Sequence, residues 1–185
     1  MSKHKINSEN KSILCIGSGK SEMKSVINMD IVPAEGVNFV HDFNDIPWPG
    51  LADSQFDEVY IPHSIHCVDN LLRFMEEVHR VCKPNAKIII NSVNFLSPIA
   101  CQDAFFKTRI GWNTFDVFQE IHHLQGVSYD TTAKFEIVKR KWIFSENKYL
   151  KWLSPLFNIF PKFYARFTYF WMPCNELEFK LRCLK

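Results

Sequence analysis

Gly17-Ser18-Gly19 follows four apolar residues, Ile13-Leu14-Cys15-Ile16. An apolar run entering a glycine pair predicts a buried strand that ends in a tight turn. Glycine there lets the backbone approach a ligand closely, because no Cβ stands in the way. A second short apolar run, Val26-Ile27-Asn28-Met29, ends in Asp30. A carboxylate at a strand tip suits a ribose, since its oxygens accept from two hydroxyls. Strand, glycine turn, strand and acid make a nucleoside-binding unit in outline. Asp42 ends a third run and sits beside Phe43, and His63 and His66 follow a fourth run closed by Pro62. An imidazole near neutral pH is a candidate general base. A metal held by His63, His66 and Cys67 is not expected, because the chain supplies no second spaced pair of ligands.

Spacing separates the nucleotide classes. Gly19-Lys20-Ser21 has the ending of a phosphate-binding loop, but that loop needs a glycine where Leu14 stands. A dinucleotide site needs a third glycine where Glu22 stands, and an acid farther on than Asp30. S-adenosylmethionine needs fewer glycines, because no pyrophosphate is cradled. A lone glycine pair is a weak signal, so the elements around it must decide.

The remaining pattern is strand, loop or helix, strand, repeated. Val37–Val40, Phe56–Ile61 and Ala86–Ile90 read as further strands, and Asn70–Cys82 as an amphipathic helix capped by Asp69. That order predicts a mostly parallel sheet with ligands at the carboxyl ends of its strands. Ala133–Phe144 reads as a long strand and Thr114–Leu124 as a helix. Glu176–Leu184 alternates strictly, as a half-covered antiparallel strand does. The link Lys20–Ser25 holds little more than one helical turn, so the first helix of the sheet is expected to be reduced or absent. The 185 residues suit a single domain, 1–185, with residues 1–11 frayed. Six cysteines without C-x-x-C spacing read as reduced thiols of a cytoplasmic protein. A net charge of +2 gives no argument for nucleic acid.

Together these residues resemble the class I S-adenosylmethionine-dependent methyltransferases, and most of all compact bacterial members found beside glycan and cell-surface biosynthesis genes. The likeness covers roughly Ser12–Phe118 and the last strand. It implies a Rossmann-like sheet of seven strands, antiparallel at the C-terminal strand, and S-adenosylmethionine as cofactor. Ile16, Gly17, Ser18 and Gly19 resemble the cofactor glycine motif, and Asp30 and Ile31 the ribose-binding acid and its neighbour. Asp42 and Phe43 resemble the segment that meets adenine, and Pro62 and His63 the wall of the pocket. Glu77–Pro84 is similar to the helix end before the fifth strand. The family's Glu-His after the fourth strand is replaced by His66-Cys67, and its Asp-Pro-x-His loop survives only as Asp103-Ala104-Phe105-Phe106. The likeness implies a substrate loop at Asn94, Asp103 and Arg109, and His63 and His66 as catalytic imidazoles. The expected reaction is methyl transfer to a hydroxyl or amine of a small molecule or glycan, such as a cell-surface or lipid-linked sugar. The alternative is a catalytically inactive scaffold of the same fold.

Residues 142–171 stand apart as a helical insertion rich in aromatics and bases. Leu153, Leu156, Phe157, Phe160, Phe163, Phe167 and Phe170 keep helical spacing, broken at Pro155 and Pro161, among Lys148, Lys151, Lys162 and Arg166. Such a stretch covers the core, meets a second copy, or docks on an anionic membrane surface, which would make the protein peripheral to the inner membrane.

Overall fold

The computed structural model of the chain describes residues 11–20, 25–119, 131–144, 153–168, 170–171 and 174–185. The strands are β1 (Ile13–Ile16), β2 (Ile27–Asp30), β3 (Phe39–Val40), β4 (Phe56–Pro62), β5 (Cys82–Val93), β6 (Lys134–Ile143) and β7 (Glu176–Leu184). They form one sheet in the order β3-β2-β1-β4-β5-β7-β6. The first five strands are parallel, and β7 lies antiparallel between β5 and β6. This is the seven-stranded Rossmann-like α/β arrangement expected from the sequence.

Each strand's burial follows from its pattern. All four residues of β1 are buried, as a strand covered on both faces requires. In β7, Leu177, Phe179, Leu181 and Cys183 enter the core while their neighbours stay partly exposed. β1 and β2 are joined by ten residues, 17–26, of which 17–20, 25 and 26 are turn or irregular backbone. Residues 21–24, where a reduced first helix was expected, lie outside the described residues.

Helix α1 (Leu71–Val81) departs from the sequence reading in two ways. Asn70, not Asp69, caps it by accepting from the Arg73 N–H at 3.1 Å, while Asp69 pairs with Lys107 at 2.6 Å. Asp69 lies one residue too early for its side chain to reach the orphan amides. Glu77, expected on the polar face, is buried. Its carboxylate accepts from the Trp48 N–H and from Arg80, each at 2.7 Å. Burial pushes its pKa up, but these bonds outweigh it and hold it below the usual range. Glu77 thereby fastens the proline-rich loop to α1.

Lys83-Pro84-Asn85 ends the helix as expected, yet the strand already starts at Cys82, with its pairing to β4 shifted between Phe56 and Glu58. Thr114–Phe118 is a 3-10 turn that sends Phe115 and Phe118 into the core. The rest of the helix expected there, with His122 and His123, lies outside the described residues. The aromatic segment does not begin at Trp142, which belongs to β6. The described part of it contains α3 (Leu153–Ile159), α4 (Pro161–Phe163) and a π turn, Tyr164–Thr168. Asn158 accepts from the Trp142 N–H at 2.9 Å and donates to the Trp142 carbonyl at 2.8 Å, clipping α3 to the end of β6. Among the described residues, no helix is long and apolar enough to cross a membrane.

Candidate active site

The carboxyl ends of β1, β2 and β4 meet at one edge of the sheet. The Gly17 and Ser18 N–H groups both donate to the Met29 carbonyl, at 2.8 and 3.1 Å, so the glycine turn is folded onto the end of β2. Gly17 and Gly19 have φ of +70° and +55°, a region that only glycine enters cheaply. Their surroundings differ. A Cβ on Gly17 would stand 2.3 Å from Ser64 Cβ, whereas one on Gly19 would meet nothing within 4 Å. The close approach at Gly17 is therefore made by Ser64, whose hydroxyl donates to the Ile16 carbonyl at 2.8 Å. The open space is at Gly19.

Asp30 faces that space. Its Oδ2 accepts from the Gly19 N–H at 2.8 Å and its Oδ1 from the Val32 N–H at 3.0 Å. A carboxylate offers about four lone-pair sites, so two remain for a ligand. Ile31, next to it, is 55% exposed. Asp42 Oδ1 accepts from the Asn44 N–H at 2.9 Å, and Asn44 is tied to Asp69 and Cys67 in the loop after β4. The segment expected at adenine is thus braced against the His63 loop.

Two expected cofactor residues turn inward. Ile16 is fully buried, and its carbonyl is taken by Ser64. The Phe43 ring lies in the core, edge-on to Phe74 at 5.9 Å. Strand alternation in one case and a collapsed aromatic cluster in the other send these side chains away from the edge.

The two imidazoles part company. His63 is exposed, with φ of +54°, and its N–H donates to the Asn91 carbonyl at 2.9 Å. His66 lies in a 3-10 turn, Ile65–Cys67, only 6% exposed, with Phe106 stacked on it at 3.8 Å. Burial, with the charge of His63 second, pushes the His66 pKa down to about 4. His66 Nδ1 and Asn91 Oδ1 are both buried without a hydrogen-bond partner. Such atoms cost about 1–3 kcal/mol each. Asn91 sits opposite Pro62, at the same edge. Its place directly after the apolar run Ala86–Ile90 puts it at that strand end in the sequence too.

The loop after β5 carries the remaining candidates. Asn94 is fully buried and its Nδ2 donates to the Cys174 carbonyl at 2.8 Å, so it joins the end of β5 to the entry of β7 and does not line a substrate loop. Asp103 follows helix α2 (Pro98–Gln102) and accepts from the Phe105 N–H at 2.9 Å. Arg109 lines an open cleft of about 400 Å³ with Phe95, Gly111, Trp112, Thr114 and Ala165. Arg140 holds the cleft's far wall by bonds to the Trp112 carbonyl at 3.0 Å and to Asp116. Among the described residues, no His, Cys, Asp and Glu cluster could hold a metal.

Residues 17–90 match the family model of the methyltransferase domain. An S-adenosylmethionine-dependent methyltransferase from Archaeoglobus fulgidus is 16% identical with a TM-score of 0.56, over 93% of this chain and 86% of that one. The YcgJ protein of Bacillus subtilis is 10% identical with a TM-score of 0.60, over 95% and 92%. The chain therefore shares the fold of S-adenosylmethionine-dependent methyltransferases. A comparable structure is that of the S-adenosylmethionine-dependent methyltransferase from Mesorhizobium loti, 14% identical, TM-score 0.50, over 93% and 90%. No curated protein matches by sequence. Two of these neighbours are S-adenosylmethionine-dependent methyltransferases, and the residues at the carboxyl edge of this sheet fit that cofactor. The space beside Gly19 is open, and Asp30 keeps acceptor capacity toward it.

Proposed function

We propose that this methyltransferase moves a methyl group from S-adenosylmethionine to a hydroxyl or amine of a small molecule or glycan, with a sugar carried at the cell surface or on a lipid as the acceptor class. The observation that carries the reading is the pairing of the Gly19 N–H with Asp30 beside open space, at the same sheet edge as the cleft ringed by Arg109 and Trp112. Asp30 accepts from the ribose hydroxyls, Ile31 covers the adenine, and Asp42 accepts from its amino group. The cofactor supplies an electrophilic methyl on a sulfonium. The chain's own task is alignment, which can supply much of the rate. Phe95 and Trp112 line the cleft, and Arg109 offers a cation there to an anionic handle. His63, the exposed imidazole, takes the proton of an acceptor hydroxyl. His66, neutral under Phe106, holds the His63 loop and offers Nδ1 as an acceptor.

Calorimetric titration with S-adenosylmethionine and S-adenosylhomocysteine tests the cofactor half. Asp30→Ala should weaken both about 10- to 100-fold, the loss of roughly 1.5–3 kcal/mol for a hydrogen bond to a charged group. Folded wild-type protein that binds neither would overturn the reading in favour of a scaffold. His63→Ala should lower kcat on sugar acceptors with the cofactor affinity unchanged.

A further inference from the structure

We infer that the helical segment after β6 docks this protein on an anionic membrane surface. Leu156, Ile159, Phe160, Phe163 and Phe167 recur at one helical face across α3, α4 and the π turn, and are 45–66% exposed. Trp171 follows at 88%. The same segment already has its inward face filled. Phe157 and Tyr164 pack on Phe144 at 5.2 Å each, and Tyr164 meets Trp142 at 4.8 Å. The core thus fills one face of the segment, and the second apolar face stays exposed.

Charge chooses the occupant. Lys162 and Arg166 are exposed beside the aromatic face, and residues 147–175 contain no Asp or Glu. An isologous contact with a second copy would set these cations against themselves, with no acid in the segment to pair with. Anionic headgroups complement them, and aromatic side chains are at home at the headgroup level. The placement agrees. Ile143 and Glu176 lie opposite each other, beside Val93, so the segment leaves the sheet at its carboxyl edge. Ala165 lines the cleft with Arg109. A bilayer under the aromatic face would therefore border the cleft.

Vesicle co-sedimentation tests this, with phosphatidylcholine alone and with phosphatidylglycerol added. The full chain should pellet with the anionic vesicles at least tenfold more tightly, and release as salt rises from about 50 to about 500 mM. Phe160→Ser/Phe163→Ser should abolish pelleting, and Lys162→Glu/Arg166→Glu should remove the preference for anionic lipid. Thermal melts of both variants, at exposed positions, report that they are folded. Wild-type protein that stays in the supernatant overturns the inference, as does a micromolar dimer in sedimentation that the Phe160→Ser/Phe163→Ser variant dissociates. Neither readout depends on methyl transfer, so this inference and the proposed function can fail separately.

Discussion

Gly17→Ala and Gly19→Ala change adjacent parts of one turn and should fail in different ways. At Gly17 the new Cβ would fall 2.3 Å from Ser64 Cβ and 2.7 Å from its Oγ, at a φ of +70°. The positive φ costs a non-glycine residue about 1–2 kcal/mol. Forcing Ser64 aside adds roughly 1–3 kcal/mol of overpacking. Losing the Ser64 bond to the Ile16 carbonyl adds about 1 kcal/mol. The sum, about 3–6 kcal/mol, is a large part of the roughly 5–15 kcal/mol that holds a domain folded. At Gly19 only the φ term applies, so the cost is about 1–2 kcal/mol. Yet the Gly19 methyl enters the space in front of Asp30, so S-adenosylhomocysteine affinity should fall while the fold survives. Urea melts and calorimetry separate the two effects. The decisive variant is Ser64→Gly, which removes the obstructing atoms. In a double-mutant cycle it should recover about 1–3 kcal/mol of the Gly17→Ala loss. Equal melting midpoints for Gly17→Ala and Gly19→Ala, or a cycle with no coupling, would refute the packing assigned to this turn.

Other consequences follow from the same geometry. The His66 pKa is low in the folded state, about 4 against an ordinary 6.5, so the unfolded chain binds the proton more readily. Stability should therefore fall as pH drops from about 6.5 toward about 4, and melts of His66→Phe should show a shallower slope over that window. Arg140→Ala removes the bonds to the Trp112 carbonyl and Asp116, leaving a half-buried carboxylate. It should destabilise by about 1–3 kcal/mol and raise the acceptor KM, with S-adenosylhomocysteine affinity unchanged by calorimetry. Glu77→Gln keeps the volume but removes the charge facing Arg80, and should lower Tm by several degrees for roughly 1–2 kcal/mol lost.

The sequence by itself determined the sheet and the strand ends that meet at its carboxyl edge. Period and composition act locally, so β1 reads as buried on both faces and β7 as alternating. The order of the glycine turn and Asp30 is likewise local, and the fold brings the Gly19 N–H and the Asp30 carboxylate together at 2.8 Å. Tertiary structure decided what each side chain does there. Gly17 accommodates Ser64, 47 positions away, and only Gly19 opens toward a ligand. Asn94 and Phe43 were drawn from a polar loop and a cofactor segment into the framework, because Cys174 and Phe74 reach them from distant parts of the chain. His63 and His66 are three residues apart, yet one is exposed and the other lies neutral beneath Phe106. Helical spacing marked 156–167 as amphipathic without saying which face the core would take. That choice was made by Trp142 and Phe144, and it leaves the phenylalanines outside. Burial, charge state and partnership arise from contacts between residues remote in sequence, so they became legible only once the chain had folded.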